Sequence, residues 1–179
     1  MIMRKVYFLL IAVALTSATC KKEKINTGKL PPITQTGENT FGATVNGKVF
    51  LPKVNFGNYT VKLAVSYSLN PQQLQMIANN TDSNDGFNFI FNDVSFNTGD
   101  IIQLSQLVVG KRNVAMAGYS ITRETGGSYD IVPPLTGTLT VLKFDVTQKI
   151  FAGTFSFEAV NSLGEKVIVK DGRFDLKLQ

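Results

Sequence analysis

Apolar and polar residues alternate with a period of two along most of this chain. Val61, Leu63, Val65 and Tyr67 alternate with Lys62, Ala64 and Ser66, and Phe87, Phe89 and Phe91 are set off by Asn88 and Asn92. Further along, Phe151, Gly153, Phe155, Phe157 and Ala159 alternate with Thr154, Ser156 and Glu158. Phe174, Leu176 and Leu178 then alternate with Arg173, Asp175 and Lys177. In a strand, successive side chains point to opposite faces, so this pattern predicts strands buried on one face and wet on the other. Aromatic and β-branched residues supply the apolar positions, as a pleated, half-buried surface favours. No ten-residue stretch beyond the N-terminal region has helical periodicity.

Turn chemistry separates the strands. Asn46-Gly47, between Val45 and Lys48, tolerates the positive φ angles of a tight hairpin turn. Asn84-Asp85-Gly86, Thr125-Gly126-Gly127 and Leu163-Gly164-Glu165 mark further turns, and Pro133-Pro134 interrupts a ladder. The predicted strands cover 41–46, 47–51, 59–68, 73–79, 87–94, 100–104, 113–122, 128–132, 137–144, 150–160 and 166–178, or nine or ten once the shortest are discounted. Short links predict antiparallel neighbours. The expected fold is therefore a single antiparallel all-β domain, either a β-barrel (lipocalin-like) or a two-sheet β-sandwich.

The first residues break the pattern. Arg4 and Lys5 precede a ten-residue apolar run, Val6 to Leu15, and the small residues Thr16 to Thr19 lead to Cys20, the single cysteine. This is the layout of an export signal, too short to span a bilayer. A cysteine at the first mature position predicts lipidation on sulfur; the alternative is an ordinary signal cut near Ala18 that leaves a free thiol. Ser17 and Thr19 stand where common lipoprotein signals carry Leu and Gly or Ala, which resembles the looser signals of Bacteroidetes lipoproteins. From Cys20 to Asn39 the chain is polar, contains Pro31-Pro32 and offers little to bury, so a flexible tether is expected. The expected organisation is a lipoprotein signal peptide at 1–19, a lipidated cysteine and tether at 20–39, and the all-β domain at 40–179.

Charge supports this division. The chain carries +5, but residues 41–179 hold 12 Lys or Arg against 11 Asp or Glu. The basic excess lies in the signal and tether, so no nucleic-acid partner is expected for the domain. Lys21-Lys22-Glu23 resembles a short charged signal that sends some Bacteroidetes lipoproteins to the cell surface, though that signal usually has two adjacent acids. Simple attraction of these lysines to anionic head groups is the plainer reading.

Several chemistries drop out. Without histidine there is no Ser-His-Asp or Cys-His system and no His-ligated metal, and one cysteine forms no intrachain disulfide. Neither Gly-x-Ser-x-Gly nor Ser-x-x-Lys occurs. Gly42 to Lys48 matches phosphate-loop spacing, but Val49 stands where Ser or Thr is needed and the context is a hairpin. Asp82-Ser83-Asn84-Asp85-Gly86 superficially suggests a calcium loop, yet its slots fall on Thr81, Ser83 and Asp85, with Asn92 at the closing position. Arg173, Asp175 and Lys177 read as a solvated charge ladder. No catalytic residue, metal or cofactor is assigned.

Thirteen Phe and five Tyr, with no Trp, weight the chain towards Phe. Twelve Phe and four Tyr follow Cys20, enough to fill a small barrel or to line a cavity for an apolar ligand.

Leu30 to Gly37, then Asn39-Thr40-Phe41-Gly42 and Val45-Asn46-Gly47, resemble the mature N-terminus of a family of small Bacteroidetes lipoproteins of unknown function. Gly137 to Val141, Gly153 to Phe157 and Asp171-Gly172-Arg173-Phe174 resemble the same family's C-terminal half. The resemblance implies an extracytoplasmic address and carries over no catalytic residues. The resulting expectation is a non-enzymatic, lipid-anchored protein of the outer membrane, a binding or structural module of the cell envelope held through Cys20. A hydrophobic small molecule or an envelope protein is its expected partner. The alternatives are a lipocalin-like carrier of a hydrophobic small molecule and a surface hydrolase using carboxylates.

Overall fold

The computed structural model describes residues 28–55, 57, 60–70, 72–105, 114–122 and 127–179; Cys20, the signal and the first part of the tether lie outside them. Asn46 and Gly47 both take positive φ, 48° and 81°, and turn β1 (Thr40–Val45) into β2 (Lys48–Phe50) as their side chains predict. There follow β3 (Leu63–Leu69), β4 (Gln72–Asn80), β5 (Asp85–Asn92), β6 (Ile101–Ser105) and β7 (Val114–Ile121). The last four are β8 (Ser128–Asp130), β9 (Gly137–Asp145), β10 (Ile150–Val160) and β11 (Lys166–Lys177). The all-β expectation holds, with eleven strands and no helix among the described residues.

The strands form one sheet in the order β2-β1-β11-β10-β9-β6-β7-β5-β4-β3, with β8 bridging β10 and β7. Its two ends approach each other. Past β2, Lys53 pairs with Asn80 of β4, and on β3 the Tyr67 amide donates to the Gln179 carbonyl at 3.5 Å. The sheet thus curls around one core instead of splitting into two. Short links predict only antiparallel neighbours, and β6 departs from this: it runs parallel to β7 and antiparallel to β9. The cause lies in the β5–β6 link. It sends Phe96 into the core, 8% exposed, with its ring 5.0–5.2 Å from Phe91, Phe144 and Phe151. That insertion carries the chain across one end of the curled sheet to lie beside β9.

Aromatic rings fill the interior between opposite walls. Phe41 on β1 meets Phe87 on β5 and Phe155 on β10 at centroid distances of 5.4 Å, and Phe89 meets Phe155 at 4.9 Å. Each buried Phe contributes about 1.5–3 kcal/mol from its apolar area. Edge-to-face pairs such as Phe50–Phe87 add ~1 kcal/mol. Glycine makes room for some rings: a Cβ on Gly172 would stand 2.5 Å from ring atoms of Phe155.

Candidate functional site

Two places on this framework gather polar groups. The first is a depression of about 460 Å³ where β8 is wedged between β7 and β10. Ser128, Asp130 and Ser162 give it a polar rim with Val132 and Val160 beside them, and Asn161, buried, lies deeper. Asp130 is fixed from both sides, its backbone paired with Gly118 of β7 and Val160 of β10. Burial pushes its carboxyl above the ordinary carboxylate range, because the charged form loses solvation there.

Beneath the rim, Asn161 organises the β10–β11 loop. Its Oδ1 accepts from the Leu163 and Glu165 amides at 3.0 and 2.9 Å, and its Nδ2 donates to Glu165 Oε2 at 2.7 Å. Tyr129 OH donates to the same oxygen at 3.5 Å. Gly164, at φ 80°, completes the turn. The depression therefore offers hydroxyls, an amide-braced loop and one carboxylate beside apolar side chains. Such a surface can hydrogen-bond a hydroxyl-bearing or peptide-like ligand, and among the described residues one acid, Asp130, lines it.

The second place surrounds Asp175, only 1% exposed. Its Oδ2 accepts from Thr34 Oγ1 at 2.7 Å and from the Thr36 and Glu38 amides at 3.0 and 3.2 Å, while Oδ1 accepts from the Gly37 amide at 2.7 Å. Burial alone raises the carboxyl pKa, but these four donors outweigh it and hold the group below its ordinary value. Next to it, Arg173 is half-buried, its Nη1 3.5 Å from the Pro31 carbonyl. Alternation implies a solvated ladder Arg173-Asp175-Lys177, but only Lys177 of the three is exposed. Residues 30–38 lie across it, with Leu30, Pro31 and Leu51 covering the outer side of Gly42. Contacts to the domain begin well before residue 40, inside the stretch whose composition predicts a tether.

The other motif-like stretches have structural explanations. Gly42 lies in β1 and Lys48 in β2, on a plain hairpin. In the 81–86 loop Lys53 Nζ pairs with Asp82, Asn55 Nδ2 donates to Asp82 Oδ1 at 2.6 Å and Tyr119 OH donates to Asp85 Oδ2 at 2.6 Å. Lys53 and Asn55 hold Asp82 below its ordinary pKa. Asn84, at φ 56°, makes the turn there, and Gly86 instead sits in β5 against Asn79. The described residues contain no group of three or more acids or thiols placed to hold a metal ion.

No family model matches the chain, and no curated protein or solved structure is significantly similar to it.

Proposed function

We propose that this chain is a lipid-anchored, non-enzymatic binding module of the cell envelope, tethered through Cys20. The observation that carries the reading is the single cysteine placed directly after an export-type segment and ten residues before Leu30, where the domain takes hold of the chain. The resemblance to small Bacteroidetes lipoproteins supports the same address, with the outer membrane as the anchoring surface. The depression around Asp130 is the surface offered to a ligand or an envelope protein.

The Phe-rich interior that motivates a carrier of apolar molecules is crossed by ring contacts from wall to wall, which favours a filled core over a ligand chamber. The carboxylate hydrolase has even less support. Among the described residues Asp130 is the one acid lining the depression, and Glu165 beside it is engaged by Asn161 and Tyr129.

Labelled palmitate fed to cells expressing the full chain tests the anchor. Incorporation that disappears in Cys20→Ala, with a larger precursor accumulating under signal-peptidase inhibition, is the expected result. Unlabelled protein of unchanged size overturns it. Native mass spectrometry of the lipidated protein in mild detergent tests the binding role, since a ligand held at the surface adds a mass that leaves on denaturation.

A further inference from the structure

We propose that the outer face of β11 and the β1–β2 hairpin rests on an anionic lipid surface; the proposal builds on the Cys20 anchor. The chain itself supplies the geometry. Running back from Glu38 beside Asp175, it crosses β1 and β11 to Pro31 and Leu30, above Gly42 and Arg173. Gly42 lies two residues before Thr44 on β1. Only nine residues, Lys21 to Lys29, separate that point from Cys20. Nine residues reach at most about 30 Å when fully extended. The point at which the chain leaves this face therefore lies within about 30 Å of the anchor.

The side chains on this face suit such a surface. On β11, Val167 and Val169 are buried, so Lys166, Ile168 and Lys170 point outward. Register places Val49, Thr44 and Lys170 in one row across β2, β1 and β11. Val49 and Ile168 are 42% and 37% exposed, and a depression of about 250 Å³ beside Asn46 and Ile168 is lined mainly by apolar atoms. The cations on these strands are Lys48, Lys166, Lys170 and Arg173, and Lys29 is exposed one residue before Leu30. Glu158 and Asp171 are the acids, and Glu158 is already paired with Lys166 at 2.8 Å. Cations ringing a shallow apolar patch attract anionic head groups, and the attraction fades beyond a Debye length. A tether of this reach lets the patch come within that range, where attraction to anionic head groups holds it.

Because acylation consumes the Cys20 thiol, a cysteine introduced elsewhere carries the single free thiol. The lipidated full chain with Ile168→Cys or Val49→Cys, and separately Asn88→Cys on β5, five places from β11 in the strand order, is labelled with a fluorophore. Each is reconstituted in vesicles containing brominated lipid, made of phosphatidylcholine alone or with added phosphatidylglycerol. Labels at 168 and 49 should be quenched several-fold more than the label at 88 when phosphatidylglycerol is present. High salt, or Lys29→Glu with Lys170→Glu, should abolish the difference. Equal quenching at all three sites on vesicle-bound protein overturns the orientation and leaves the anchor standing. Protein that fails to float with vesicles overturns the anchor and the orientation together.

Discussion

The Gly37 amide donates to Asp175 Oδ1 at 2.7 Å, joining two positions 138 residues apart. Gly37 takes φ 76°, which lets successive amides on either side turn towards one carboxylate. With Thr34, Thr36 and Glu38 it forms a cradle that fastens the N-terminal segment to the last strand. The buried charge is stable there because four donors replace its water.

Removing that acceptor should loosen the whole segment. Asp175→Ala leaves four donors to find water, and we expect a loss of about 2–3 kcal/mol in unfolding free energy. Hydrogen exchange of the amides at 36–38 should accelerate at the same time. Unchanged exchange in the variant would show that contacts around Leu30 and Pro31 suffice to hold the chain.

The two perturbed carboxylates make opposite contributions to pH dependence. Asp175 is held below its ordinary value of 3.8, so its stabilisation is full above the unfolded pKa and is lost as pH falls through the folded one. Asp130 is raised by burial, so its share is full below the unfolded pKa and is lost as pH rises through the folded one. Asp175→Asn should therefore flatten the acid limb of a stability–pH profile. Asp130→Asn should raise stability at neutral pH relative to the acid end. Denaturant midpoints across the acid range check both, and parallel profiles for the two variants would contradict the assignment.

The core contains a steric test. A Cβ at Gly172 would stand 2.5 Å from Phe155 ring atoms, so Gly172→Ala should cost about 1–3 kcal/mol by overpacking. If the ring is what collides, Phe155→Leu in the same chain should recover part of that loss. A double-mutant cycle reads the coupling directly, and purely additive losses would place the strain elsewhere.

Much of this fold is written in local pattern. The alternation at Phe87–Phe91 and Phe151–Ala159 places β5 and β10, and Asn46-Gly47 places the first hairpin, because side-chain period and turn angles are local properties. Phe96 is different. It shares a mostly polar link, Asn92 to Asp100, with Val94, and the distant rings of Phe144 and Phe151 show why it is apolar. The parallel pairing of β6 follows from that crossing, so short-link reasoning missed it. Asp175 was hidden for a related reason. Its alternation with Phe174 and Leu176 marks it as outward, but what covers an outer face depends on a segment more than a hundred residues away. The depression left still less trace. Asp130 and Asn161 sit in short, ordinary sequence and gain their setting only when β8 meets β10.

That setting yields the prediction nearest to function. Asn161 accepts from two loop amides and donates to Glu165, so Asn161→Ala removes three hydrogen bonds from the floor of the loop. A net loss of about 1–3 kcal/mol is expected, since the loop can partly rehydrate. Tyr129 is the core ring that meets this network, through its hydroxyl on Glu165, and its ring stays packed on Tyr119 at 5.9 Å, so the strands should remain folded and palmitate should still be incorporated at Cys20. If the depression is the binding surface, a ligand mass retained by the parent protein in native mass spectrometry should be lost from the variant. A ligand retained undiminished by Asn161→Ala and by Asp130→Ala would move the binding surface away from β8 and β10.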